Sequence, residues 1–233
     1  VATSYSYIGQ IYFAQNDYSK ALDYFKKSLK LDLSFFGENH PSVASGYYNI
    51  GYVYFAQGDY SKALEYFEEV LKIRLSVYGE NHSRVASVYN DIGEIYSVQG
   101  DDFKALDYFK KSLKIVLSVY GENHSQVSSI YDHIGEIYFA QKDYSKALYY
   151  FEESLKIRLS LFGENHPEVA LSYYSIGSLY IIQGDKSKAL NYYEKSLKIR
   201  LSVYGENHPL TKEIMDLINV ANSKVLQSPE TTK

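Results

Sequence analysis

The chain of 233 residues has no cysteine, no tryptophan, one methionine and four prolines. Without cysteine there is no disulfide, no thiolate metal site and no cysteine nucleophile. No stretch approaches the roughly 18 consecutive apolar residues of a membrane-spanning helix, and the opening Val1–Ser6 segment has neither a basic nor an apolar leader pattern. A reducing, cytoplasmic setting is the expectation. Positive charge is also scarce: 24 Lys and Arg against 28 Asp and Glu leave a formal charge of −4. Nucleic acid and membrane surfaces are therefore not expected as partners, because both attract a basic stripe. Tyrosine is abundant instead, with 27 residues beside 11 phenylalanines. Such a composition points to one aromatic-rich unit used many times.

An offset of 42 residues superimposes the sequence on itself without insertion or deletion. Ile-Gly recurs at Ile8-Gly9, Ile50-Gly51, Ile92-Gly93, Ile134-Gly135 and Ile176-Gly177, and Gly-Glu-Asn-His begins at Gly37, Gly79, Gly121, Gly163 and Gly205. The repeat units are 1–42, 43–84, 85–126, 127–168 and 169–210. A capping helix is expected over 211–226, with Met215, Ile218, Val225 and Leu226 packing while Lys212, Glu213, Asp216 and Lys224 meet water. The spacing thus predicts a single repeat domain over 1–226 and a disordered tail at 227–233.

Each unit reads as two helices. Tyr5, Ile8, Gly9 and Tyr12 share one face of a helix expected from Ala2 to Gln15. Asn16, Gly58, Gly100, Lys142 and Gly184 then stand where a left-handed residue ends a helix. Lys142 is the misfit, strained by about 1 kcal/mol relative to Gly. Asp17, Asp59, Asp101, Asp143 and Asp185 are expected N-caps of the second helix. That helix, Tyr18 to Phe36 in the first unit, carries an apolar stripe of Ala21, Leu22, Phe25, Leu29, Leu33 and Phe36, widened by Tyr24 and Leu31. A stripe so wide implies neighbours on two sides. A glycine inside each first helix costs roughly 1 kcal/mol against alanine, which makes sense where two helices must approach closely.

The pattern of Tyr5, Ile8-Gly9, Tyr12, Ala21, Phe25 and Ser28 resembles the tetratricopeptide repeat. The longer period and the run Gly163, His166, Pro167, Val169, Ala170 look like its kinesin light chain subtype. The resemblance implies an all-α α-solenoid: a right-handed superhelix of five helix hairpins plus the capping helix, whose first helices line a concave groove for peptide segments or partner helices. It implies a protein-binding scaffold without a cofactor.

In that frame, positions 6, 10 and 13 of each unit face the groove, and they vary while the packing positions are copied. The candidate ligand contacts are Tyr48, Tyr52 and Phe55 in the second unit, Asn90 and Glu94 in the third, Asp132, Glu136 and Phe139 in the fourth, and Tyr174 in the fifth. Tyr48, Tyr52 and Phe55 could instead pack on the opposite helix of their own unit. No Lys or Arg is read within the five first helices, the nearest being Lys142, so a neutral or basic ligand is favoured over an acidic one. The recurrent His40, His82, His124, His166 and His208 are expected in loops beside helix starts, about 10 Å apart on successive helices and too far to share a metal. His133, next to Asp132, could tune groove charge. No convergent catalytic set appears, so no enzyme activity is expected. The alternative role is self-assembly, end to end, through a terminal helix face, since nothing precedes Val1 to cover the first helix.

Overall fold

The computed structural model describes residues 1–223 and is built of helices, with no strand among the described residues. Eleven helices follow in order: α1 Ala2–Ala14, α2 Tyr18–Phe36, α3 Pro41–Ala56, α4 Tyr60–Tyr78, α5 Ser83–Val98, α6 Asp102–Tyr120, α7 Ser125–Ala140, α8 Tyr144–Phe162, α9 Pro167–Gln183, α10 Lys186–Tyr204 and α11 Pro209–Ser223. The second helix of every unit has 19 residues, roughly 28 Å at 1.5 Å per residue. The architecture is that of an all-α repeat solenoid.

The caps explain why the helices start and stop where they do. Each of the five repeat aspartates accepts a bond from the backbone amide three residues on, as Asp17 does from Lys20 at 3.2 Å. The turn before it is left-handed at Asn16 (φ 59), Lys142 (φ 62) and three glycines, as the sequence requires. The histidines do more than occupy loops. Nδ1 of His40, His82, His124, His166 and His208 accepts the backbone amide two residues ahead at 3.1–3.2 Å, capping the next helix. The rings of His40, His82, His166 and His208 also stack on the aromatic residue four positions earlier, as His40 does on Phe36 at 4.2 Å. This stacking corrects the expected stripe: Phe36 is 54% exposed and serves the cap rather than the core. The first helix ends at Ala14, one residue before the predicted Gln15.

Two compact units form, Val1–Gly121 with α1–α6 and Glu122 onward with α7–α11. In the first, Ala21, Phe25, Val43, Ile50, Ala63, Phe67 and Ile92 make the core. In the second, Ala147, Phe151, Val169, Ile176, Leu179 and Ala189 do so. The helical glycines are close-approach positions: a Cβ on Gly9 would lie 2.7 Å from the Phe25 ring, and one on Gly93 2.9 Å from Phe109. Tyr5 and Tyr12 flank Tyr24 at 6.0 and 5.5 Å, an arrangement of half-buried rings repeated in the later units. On α11, Thr211, Ile214 and Ala221 are buried and Met215 and Ile218 half-buried, whereas Lys212, Glu213 and Asp216 are exposed. The expected contacts of Val225 and Leu226, the exposure of Lys224 and the tail 227–233 lie outside the described residues.

Candidate functional site

In the first compact unit, α1 and α3 bring their aromatic residues into one run. Phe13 lies 5.5 Å from Tyr52, Tyr52 lies 6.2 Å from Phe55 and 6.3 Å from Tyr48, and Phe55 lies 5.9 Å from Tyr60. Helical spacing produces the run, because positions 48, 52 and 55 stand one turn apart on the same side of α3. The three rings are not equivalent. Tyr48 packs on Phe67 at 5.4 Å and is half-buried, Phe55 is half-buried, and Tyr52 is 44% exposed. Tyr48 therefore packs on the opposite helix of its own repeat, while Tyr52 is the exposed member of the three.

Asn90 and Glu94 come together on α5, the Asn90 amide donating to Glu94 at 2.6 Å. Beside them stands Asp91, which the sequence reading did not single out. Burial, reinforced by Glu94, pushes its carboxyl up to about 7, against the opposing pull of a Tyr48 hydrogen bond and Arg74. Its Oδ2 and the Asn90 Oδ1 are buried with no hydrogen-bond partner.

In the second compact unit, Glu136, Phe139 and Tyr174 line one cleft of about 210 Å³ with Phe151, Ser175 and Ser178. Glu136 is open to solvent, and His133 Nδ1 stands 3.9 Å from its carboxylate. Asp132 is drawn elsewhere. Arg158 of α8 places Nη2 2.7 Å from the Asp132 carboxylate and 3.0 Å from that of Glu168, while Nη1 donates to Ser172 at 2.8 Å. Burial raises the Asp132 carboxyl to about 6 even though Arg158 opposes it. The Tyr174 hydroxyl donates to Glu213 at 3.2 Å, and its ring lies under Arg200 at 5.0 Å.

The sequence reading therefore missed a contribution from the second helices. Arg74, Arg158 and Arg200 occupy the same place in their units and reach Tyr48, Asp132 and Tyr174, all at position 6. Reading the long side chains only along their own helix hid this. The available signal was the variation at that place, which reads Asp32, Arg74, Val116, Arg158 and Arg200. Arg84 is a second correction. It stands in the first turn of α5 and so places a cation in a first helix, donating to the Tyr78 hydroxyl at 2.6 Å. Among the described residues no His and carboxylate cluster suits a metal ion, and no helix is long and apolar enough to cross a membrane.

No curated protein matches this chain in sequence. Among solved structures, the crystal structure of BtubC (BKLC) from P. vanneervenii is similar with a TM-score of 0.77 and 24% identity, over 88% of this chain and 81% of that one. A putative kinesin light chain of Podosopora anserina with nearly identical TPR-like repeats gives a TM-score of 0.72 at 16% identity, over 87% of this chain and 96% of that one. The Rap conjugation gene regulator of the plasmid pLS20, in complex with the Phr* peptide, gives 0.71 at 17% identity, over 94% of this chain and 58% of that one. At such identities the likeness concerns the fold alone. A tetratricopeptide repeat family model matches residues 1–76, 42–115, 84–160 and 127–202. With a family match running across most of its length and the helix pairs that the match demands, the chain belongs to the tetratricopeptide repeat family.

Proposed function

We propose that the chain is a protein-interaction scaffold that holds a neutral or basic peptide segment, or a partner helix, against the variable face of its first helices. The observation that carries this reading is the aromatic run Phe13–Tyr52–Phe55 with Tyr52 44% exposed at its middle. An open ring flanked by fixed rings offers apolar area and a π-face for a cation, worth about 0.5–1 kcal/mol at an exposed site. Charge favours the same ligand. Of the arginines that reach position 6, Arg158 and Arg200 are 4% exposed and spend their donors on Asp132, Glu168, Ser172, Glu213 and the Leu210 carbonyl, and Arg74 is half-buried with Nη1 donating to the Arg84 carbonyl and Ser87. The 0.71 likeness to a regulator solved with a bound peptide supports the fold's suitability for that task. In this reading the scaffold works in a cytoplasmic setting, without catalysis or cofactor.

A peptide array probed with the purified chain tests the reading, alongside the Tyr52→Ala/Phe55→Ala variant. Neutral and basic peptides should bind, and the variant should lose them while keeping its helicity. Preference for acidic peptides would overturn the charge argument.

A second reading has its own observation. Val1 is 85% and Ile11 57% exposed, whereas Val43, Val85, Val127 and Val169 are at 0%, and Val53, Ile95, Ile137 and Leu179 at 0–2%. In this reading a second copy packs end to end on the α1 face as the chain itself packs on the matching faces of α3, α5, α7 and α9. Light scattering over a concentration series separates the two, because head-to-tail association gives mass that grows with concentration.

A further inference from the structure

Asp32 stands in the first unit where Arg74, Arg158 and Arg200 stand in later ones, and it faces a cavity of about 170 Å³. The cavity is lined by Thr3, Ser6, Ser28, Asp32, Ser42, Ser45, Gly46 and Asn49, none of them cationic. Stepping forward one repeat shows what this place contains when an arginine grows from it. Arg74 donates to the Arg84 carbonyl at 2.7 Å and to Ser87 at 3.0 Å, and lies over the Tyr48 ring at 5.3 Å. The counterparts of those three partners are Ser42, Ser45 and Ser6, all on the cavity wall. Arg158 likewise meets Asp132 and Glu168, the counterparts of Ser6 and Ser42. Arg200 donates to the Leu210 carbonyl and meets Tyr174, again the Ser42 and Ser6 places. The first unit has the walls of an arginine site and an acid in place of the arginine.

We propose that this cavity is a socket for one guanidinium side chain supplied by a peptide ligand. The walls are rich in acceptors. Ser28 and Ser45 give their hydroxyl protons to the Ala2 and Pro41 carbonyls at 2.8 and 3.1 Å, and Ser6 accepts from Asn49 at 3.4 Å, so oxygen lone pairs remain for an incoming donor. A guanidinium brings five donors and no acceptor, the complement of such a wall. Among the described residues no hydrogen bond or salt bridge engages Asp32, and burial raises its carboxyl, with His40 opposing. An arriving cation favours its ionised form, against the effect of burial. The volume is well under the roughly 300 Å³ at which small-molecule sites begin, and so suits a single side chain. Ser6 and Phe13 are seven positions apart on α1, about 10 Å along its axis and two turns down the same face. An extended peptide covers that in about three residues. The ligand is therefore a segment with an arginine about three residues from an apolar or aromatic side chain that lies on Tyr52. This inference rests on the peptide-scaffold reading and names one side chain of its ligand.

Blocked peptides holding Phe and Arg separated by one to three alanines, in both orders, test it against the same peptides with citrulline, which keeps the shape and removes the charge. Titration followed by amide chemical shifts should give at least tenfold tighter binding for arginine than for citrulline, with shifts at Asp32, Ser45 and Asn49. Asp32→Arg fills the socket from within, as Arg74, Arg158 and Arg200 do in their units, and should abolish the preference. Asp32→Asn, which keeps the volume and loses the charge, should reduce it. Equal binding of arginine and citrulline peptides, an unchanged preference in both variants, or no binding by any peptide of the series overturns the socket. Binding that ignores Asp32 but falls on Tyr52→Ala would sink the socket alone and leave the peptide-scaffold reading standing.

Discussion

Arg158 and Asp132 form an ion pair at 2.7 Å across the hairpin of α7 and α8, with the guanidinium 4% exposed and the carboxylate 19% exposed. Removing one partner of a buried pair leaves the other charge uncompensated, which typically costs about 3–5 kcal/mol. Arg158→Met should therefore lower urea-unfolding stability by that order. Adding Asp132→Asn should restore much of it, because the stranded acid is then neutral. Failure of the second substitution to recover stability would show that Arg158 acts through Glu168 and Ser172 instead.

Asp91 gives the chain a pH dependence. Its folded-state carboxyl is raised from 3.8 to about 7, chiefly by burial. The sign follows: an acid with a raised folded pKa contributes stability that is fully present below its unfolded value and is lost as pH rises through the folded one. Denaturant midpoints should fall between pH 4 and pH 7. Asp91→Asn should flatten that slope and stabilise the protein at pH 8 by on the order of 2 kcal/mol. A slope identical in the two proteins would refute the assignment.

Two glycines at equivalent positions should respond differently to alanine. A Cβ on Gly135 meets the Phe151 ring at 2.7 Å, whereas one on Gly51 meets Tyr66 Cβ at 3.1 Å and Phe67 only at 3.5 Å. Alanine is intrinsically favoured over glycine in a helix by about 1 kcal/mol, while overpacking costs roughly 1–3 kcal/mol. Gly135→Ala should be clearly destabilising and Gly51→Ala close to neutral in thermal melts.

Lys142 holds φ at 62 in the place where Gly58 stands at 76 and Gly100 at 78. Lys142→Gly should raise stability by up to about 1 kcal/mol, since the side chain opposes the left-handed backbone. Asn16→Gly should change much less, because asparagine tolerates that region. Calorimetry on the two variants separates them.

The helices, their order and most of their caps were legible in the sequence because they depend on local chemistry repeated every 42 residues. Asp17 capping α2, the left-handed Lys142 and the glycine approach at Gly9 all follow from one residue and its near neighbours. The site was legible only in part. Tyr52 emerges as an exposed ring and Glu136, Phe139 and Tyr174 share a cleft. Asp132, however, is engaged by an arginine 26 positions away, and Asp91 is buried beneath Tyr48 and Arg74. Long side chains that cross from one helix to the next follow no helical period, so periodicity could not reveal them. The histidine caps were hidden for a different reason. Imidazole is not among the usual N-cap groups, and its ring stacks on an aromatic residue at the end of the preceding helix.

The frame of each hairpin is copied, but the residue at the Asp32, Arg74, Val116, Arg158 and Arg200 place is not. A unit therefore carries its own polar plug, or its own vacancy, wherever it stands in the series. Duplicating or deleting one unit during evolution would transfer that feature to a new address while leaving helix lengths, caps and glycine contacts intact. A single codon change at that place would do the same without moving any backbone. Recognition in such a chain can thus drift from hairpin to hairpin faster than the fold itself can change.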